Sequence, residues 1–225
     1  MLKPQKKISK KELKEDKFVK TMMETRAYIE ENSRTVTLIT AAVLAVIISV
    51  MLYNYFHAET LEKSSTLLGE AQVEYQNMSL AKAERLLVRL MDEYSGTNSA
   101  AQGRFLLGNI YYQQNKIEAA KEEYLEVIDS YSGSDILTAS GYAGYGACLE
   151  REKNYAEAAE YYTKARNSNK DFVDAADYLY LAALNYIQAE QYEDARNSLH
   201  ELLDNYENSD RKSDAESKLI LIEKK

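Results

Sequence analysis

Residues Thr35 to Phe56 read TVTLITAAVLAVIISVMLYNYF, a stretch of 22 residues without a single charge. As a helix it extends about 33 Å, the thickness of a bilayer's hydrocarbon core. A buried core helix and a cleaved signal peptide are the competing readings. Core helices rarely run this long uncharged. A signal peptide wants a short basic lead and small residues at its exit, whereas 34 residues precede this stretch and Tyr53-Asn54-Tyr55-Phe56-His57 closes it. The expectation is an uncleaved transmembrane helix over 35–56, with Tyr53, Tyr55 and Phe56 in the interfacial layer.

The same stretch sorts the charges. The net charge of −8 is the sum of two unlike parts: residues 1–34 hold ten Lys/Arg and six Asp/Glu (+4), and residues 57–225 hold 18 and 30 (−12). Lys17, Lys20, Arg26 and Arg34 precede the stretch closely, while the twenty residues after it carry only Lys63. Lys and Arg resist translocation. The N-terminus is therefore expected in the cytoplasm and residues 57–225 outside the cytoplasmic membrane, in the periplasm where a second membrane exists. Within the tail, the basic run Lys3 to Lys11 suits solvent or lipid headgroups better than nucleic acid, because Glu12, Glu15 and Asp16 soon interrupt it. Leu13 to Glu31 reads as an amphipathic helix, with Phe18, Met22 and Ile29 on one stripe and Val19 and Met23 beside it, lying on the membrane surface.

Chemistry finds few residues to work with. One cysteine, Cys148, forms no intramolecular disulfide, and with His57 and His200 it assembles no zinc cluster. Gly141, Gly144 and Gly146 mimic a phosphate loop, but no Lys-Ser/Thr follows them and helix packing explains them better. No cofactor, metal or catalytic residue is expected, and the chain reads as no enzyme; a hydrolase or transferase with an unusual site is the remote alternative. A single proline and eight glycines leave too few turns for a sandwich or barrel, so the fold is expected to be all-α.

Residues 64–206 carry an internal period. Ala83, Ala120, Ala158 and Ala195 are spaced by 37, 38 and 37 residues. Four residues after the last three anchors come Tyr124, Tyr162 and Leu199; twelve before them come Gly108, Gly146 and Ala183. Each unit reads as two antiparallel helices that approach closely at the small residues. The helices of a unit are joined by turns such as Gln114-Asn115-Lys116, Glu152-Lys153-Asn154 and Ala189-Glu190-Gln191. Between units stand Tyr94-Ser95-Gly96-Thr97, Tyr131-Ser132-Gly133-Ser134 and Tyr206-Glu207-Asn208-Ser209, whose last polar residue is placed to cap the next helix. Ser213 to Glu223, with Leu219, Ile220 and Ile222, is expected to cover the end of the stack.

Leu107-Gly108-Asn109-Ile110-Tyr111 together with Ala120…Tyr124 and Ala158…Tyr162 resembles the tetratricopeptide repeat. The units are longer than the usual thirty-four residues, lack the closing proline, and place Arg104, Tyr142 and Leu179 where that family carries tryptophan. The resemblance implies an α-solenoid of about four helix-turn-helix repeats plus a capping helix, over residues 64–225, joined to the membrane helix by a connector at 57–63. It also implies that the first helices of the units line a protein-binding groove. The residues so placed are Gln72, Tyr75, Gln76, Phe105, Asn109, Tyr112, Gln113, Glu150, Arg151, Tyr180, Leu184 and Gln188. Rings and amides suit an extended or unfolded polypeptide. Each residue alone is better explained by packing between repeats or by plain solvation, and only the cluster carries the reading. A clamp for a C-terminal carboxylate does not fit, since Phe105, Ala143 and Gly144 stand where cations or amides are needed.

The whole layout is similar to the ancillary Sec translocon subunit family. That likeness implies a membrane-anchored adaptor or chaperone-like subunit that meets exported proteins beside the translocon, with a periplasmic chaperone as partner and lipid contacted through the anchor. An envelope scaffold for outer-membrane or cell-wall assembly is the alternative within the binding class.

Overall fold

The computed structural model describes residues 10–130, 134–170 and 173–223, and every element among them is an α-helix. Residues 3–9 of the basic run Lys3 to Lys11 and the Tyr131-Ser132-Gly133 break lie outside the described residues, while Lys10 and Lys11 of that run are helical. The chain separates into two units that meet at Glu59 and Thr60.

The first unit holds α1 (Lys10–Glu31) and the opening part of α2 (Ser33–Gln76). The stripe expected on α1 is present and exposed, with Phe18 and Met22 at 68% and 64% of their full exposure. In α2, residues 37–56 are all exposed, and the helix is long and apolar enough to cross a membrane. Residues 57–63, expected as a connector, are helical and belong to the same α2.

The second unit is a stack of helical hairpins. Its elements are the end of α2, α3 (Leu80–Tyr94), α4 (Asn98–Gln113), α5 (Ile117–Ser130), α6 (Asp135–Arg151), α7 (Tyr155–Ser168), α8 (Ala175–Gln188), α9 (Tyr192–Asn205) and α10 (Lys212–Ile222). From α3 onward each helix packs on its neighbours in sequence, and α4 also packs directly on α6, so these two first helices lie side by side. The anchor alanines Ala83, Ala120, Ala158 and Ala195 are all fully buried. They let each second helix sit close against its partners, as ridge-in-groove packing requires.

Four turns close the hairpins in one way. Met78, Asn115, Lys153 and Glu190 have φ near +60° (59°, 60°, 65° and 61°). In the third hairpin the Lys153 amide donates to the Glu150 carbonyl (2.9 Å) and Asn154 to the Leu149 carbonyl (2.9 Å), and the other three repeat the pattern. Those two bonds satisfy carbonyls that a helix end leaves open. Helix starts are less uniform. Thr97 caps α4 by accepting from the Ala100 amide, and Ser134 caps α6 by accepting from Leu137. Ser209, expected to cap the last helix, instead accepts from the Arg211 amide (3.1 Å) in the turn, and α10 begins three residues later. α10 covers the C-terminal end through Ala215, Leu219 and Ile222, but Ile220 points away and is 62% exposed.

Candidate functional site

The candidate face is built from the last turns of α2, α4, α6 and α8. Its centre is pinned from behind by two rings of the second helices. Tyr124 of α5 is buried between α4 and α6 because both carry glycine there: a Cβ on Gly108 or Gly144 would lie 2.7 or 2.5 Å from the ring. Its hydroxyl reaches through to donate to Asn109 Oδ1 at 2.7 Å, and the Phe105 ring lies 5.9 Å away. Burial pushes the Tyr124 phenol far above its ordinary range. One unit further on, Tyr162 of α7 donates to Glu150 Oε2 (3.0 Å), which also accepts from Asn185 Nδ2 of α8 (3.2 Å).

Neighbouring first helices are then tied across the face. Gln113 donates its amide to the Tyr75 hydroxyl, joining α4 to α2. Arg151 of α6 donates to the Tyr112 carbonyl of α4 at 2.9 Å and lays its guanidinium 4.6 Å over the Tyr112 ring. The cation meets the negative face of the ring, and the contact holds both side chains in place. Tyr112 is half-buried, and desolvation raises its phenol pKa.

The structure thus divides the residues expected to line the groove. Tyr75, Gln113, Tyr112 and Arg151 form one continuous row. Asn109 and Glu150 are spent on the rings behind them and act as packing residues. Phe105 and Leu184 are half-buried, Tyr180 sits beneath the Arg211 guanidinium at 5.4 Å, and Gln72, Gln76 and Gln188 are exposed. Sequence reasoning gave Tyr124 and Tyr162 only the role of large residues after the alanine anchor. That four-residue spacing was the signal that could have placed their hydroxyls on this face. Asn185 was missed altogether: it is fully buried, with Oδ1 unpartnered, where the earlier repeats place Ile110 and Cys148.

Burial pushes the Cys148 thiol up to about 12, which leaves it neutral and unreactive. Among the described residues no group of three or more His, Cys, Asp or Glu is placed to hold a metal. A second feature is an ionic cluster at the ends of α7 and α9, where the buried Arg166 pairs with Glu201 beside a cavity of about 950 Å³. Its lining mixes both signs, with Lys170 and Arg211 against Asp177 and Glu207.

A stack of helical hairpins with repeated small anchors, repeated left-handed turns and first helices tied to one another by side-chain hydrogen bonds defines a tandem-repeat interaction scaffold. The chain belongs to the tetratricopeptide repeat-like family: the model of that domain matches residues 26–139, and a tetratricopeptide repeat model matches 177–209. The fold is similar to that of pilF from Pseudomonas aeruginosa, with a TM-score of 0.60, 17% identity, and 73% of this chain and 71% of that one covered. A tetratricopeptide repeat protein from Parabacteroides merdae gives 0.58 and 19%, with 71% and 60% covered. BtubC from P. vanneervenii gives 0.57 and 14%, with 63% and 62% covered. The chain therefore spans less than two thirds of the last two proteins, and at these identities the likeness is one of fold. No curated protein matches the chain. Domains of this repeat class bind proteins or peptides and are generally non-enzymatic.

Proposed function

We propose that this chain is a single-pass protein of the cytoplasmic membrane that acts as a protein-binding adaptor or chaperone-like subunit for exported polypeptides near the Sec translocon. Residues 35–56 span the bilayer, residues 1–34 face the cytoplasm, and the repeats over 64–225 stand on the outer side. The observation that carries the binding role is the row Tyr75, Gln113, Tyr112 and Arg151. These side chains are tied to one another across adjacent hairpins, so rings and amides meet a partner at little further cost in side-chain entropy. Aromatic faces take up side chains of varied sequence, and the exposed amides of Gln72 and Gln188 on either side can pair with the backbone of an extended segment. The membrane role rests on the uncharged, exposed stretch 37–56 and its basic flank. The family match begins at residue 26, ahead of that stretch, which supports treating span and repeats as parts of one design. Tethering the row at the membrane raises its local concentration toward emerging chains without any chemistry. A photo-crosslinking residue placed at Gln72 or Gln188 in cells is expected to capture exported polypeptides or translocon components. Capture of cytoplasmic proteins alone, or of nothing, contradicts the proposal.

A further inference from the structure

The two ends of the hairpin stack are finished differently. α10 closes the C-terminal end, whereas the outer side of the first hairpin has no cover among the described residues. Val73 of α2 shows what is missing. Its counterparts one, two and three repeats on are Ile110, Cys148 and Asn185, all at most 1% exposed because the second helix of the preceding hairpin packs against them. Val73 has no preceding hairpin and is 56% exposed. It lies in a groove of about 630 Å³ between α2 and α3, floored by Gly69 and Leu86. A Cβ on Gly69 would meet nothing within 4 Å, so the floor is open to close approach by another helix.

The rims of this groove differ in sign. The α2 rim carries Glu70 and Glu74, and the α3 rim carries Lys82, Arg85 and Arg89. Lys82 and Glu74 approach across the groove at 3.7 Å. Glu70 and Arg85 are exposed and form no ion pair with any described residue. An apolar groove with one acidic and one basic rim is complementary to itself. A twofold axis along the groove sets the acidic rim of one copy against the basic rim of the other. The same operation brings α3 of the second copy antiparallel onto α2, the position and direction that a preceding second helix holds at every inner repeat.

We propose that the outer face of the first hairpin is a homodimer interface, in which α3 of a second copy of this chain covers Val73 and Gly69 while Glu70 and Glu74 meet the partner's basic rim. The interface is isologous, each copy giving and receiving the same contacts. Opposite rims fix its register and exclude the axis that would set like charges together.

The test uses the full chain purified in detergent, with its mass read by native mass spectrometry and light scattering. The wild type is expected to be dimeric at about 10 μM. Arg85→Glu/Arg89→Glu, at two exposed positions, is expected to weaken the dimer at least about tenfold by setting acid against acid. Adding Glu70→Arg/Glu74→Arg to that variant restores opposite rims and is expected to restore the dimer, which a merely unfolded hairpin would not do. Val73→Glu, which buries a carboxylate in the apolar floor, is expected to give monomers with unchanged helical circular dichroism. A monomeric wild type, a dimer indifferent to charge reversal, or a different protein found seated on this face overturns the proposal.

Discussion

Residues 41–56 and 60–76 lie on one helix and are built for different surroundings. In the first segment every residue is exposed, Leu44 and Ile48 included, and no polar stripe breaks the apolar surface. In the second, Leu67, Leu68 and Ala71 are buried against Ala83, Leu87 and Leu90 of α3, while the remaining faces carry Glu62, Glu70 and Gln72. A helix apolar all round wants an apolar solvent, and one with a single apolar stripe wants a partner on that stripe. The boundary falls close to Glu59, where the two units meet and charge returns to the sequence.

The comparison is broken most severely by one truncation made on both sides. Leu87→Ala empties a fully buried site in the first hairpin and should cost about 2–5 kcal/mol in unfolding of the repeats. Leu44→Ala, an equal change in chemistry, should leave that unfolding transition unmoved. Denaturant titration of the full chain in detergent, followed by circular dichroism, reads both. Next in size is Gly144→Ala, whose methyl collides with the Tyr124 ring and should destabilise by about 1–3 kcal/mol. Its consequence should extend to the proposed binding row, since Tyr124 holds Asn109 and braces Phe105; capture by a crosslinker at Gln72 should fall in the same variant.

Alkali probes the packing of the repeats through one buried thiol. The Cys148 thiol is neutral in the folded repeats up to about 12, whereas in the unfolded chain it ionises near its ordinary value of 9. The raised folded value means its contribution is fully present below about pH 9 and is lost as pH climbs toward about 12. Unfolding midpoints of the wild type should therefore fall between pH 8 and pH 10 more steeply than those of Cys148→Ala. At pH 8 the folded protein should resist alkylation that goes to completion in urea. The smallest effect belongs to the turns. Lys153 holds a left-handed conformation that costs a side-chain-bearing residue about 1–2 kcal/mol. Lys153→Gly removes that strain but frees the unfolded chain, and a net gain of about 0.5 kcal/mol is expected in the same denaturant titration.

Much of the stack was legible because repetition makes its own argument. Ala83, Ala120, Ala158 and Ala195 recur at a steady spacing, and only a fixed packing geometry demands a small residue at each. The turns were placed correctly from the same register, but their left-handed residues were not foreseen. Met78, Asn115, Lys153 and Glu190 share no side-chain chemistry, and the two hydrogen bonds that impose the conformation are backbone bonds. The engagement of the residues expected to line a groove was not legible. Glu150 and Asn109 do stand on the expected face, yet whether a polar group is free depends on which ring arrives from behind, a long-range fact that neither residue's neighbours encode. The continuity of α2 through the expected connector at 57–63 follows from its residues, none of which breaks a helix.

The central claim is that one chain is divided between two solvents, with residues 35–56 in the bilayer and the repeats in water on its outer side. Protease added to intact spheroplasts tests it most directly, read with antibodies to tags at either end. The account expects loss of the C-terminal tag, digestion of the repeats, and a protected membrane-bound fragment that keeps the N-terminal tag and resists carbonate extraction. Protection of the repeats with loss of the N-terminal tag, or release of the whole chain into the soluble fraction, contradicts it.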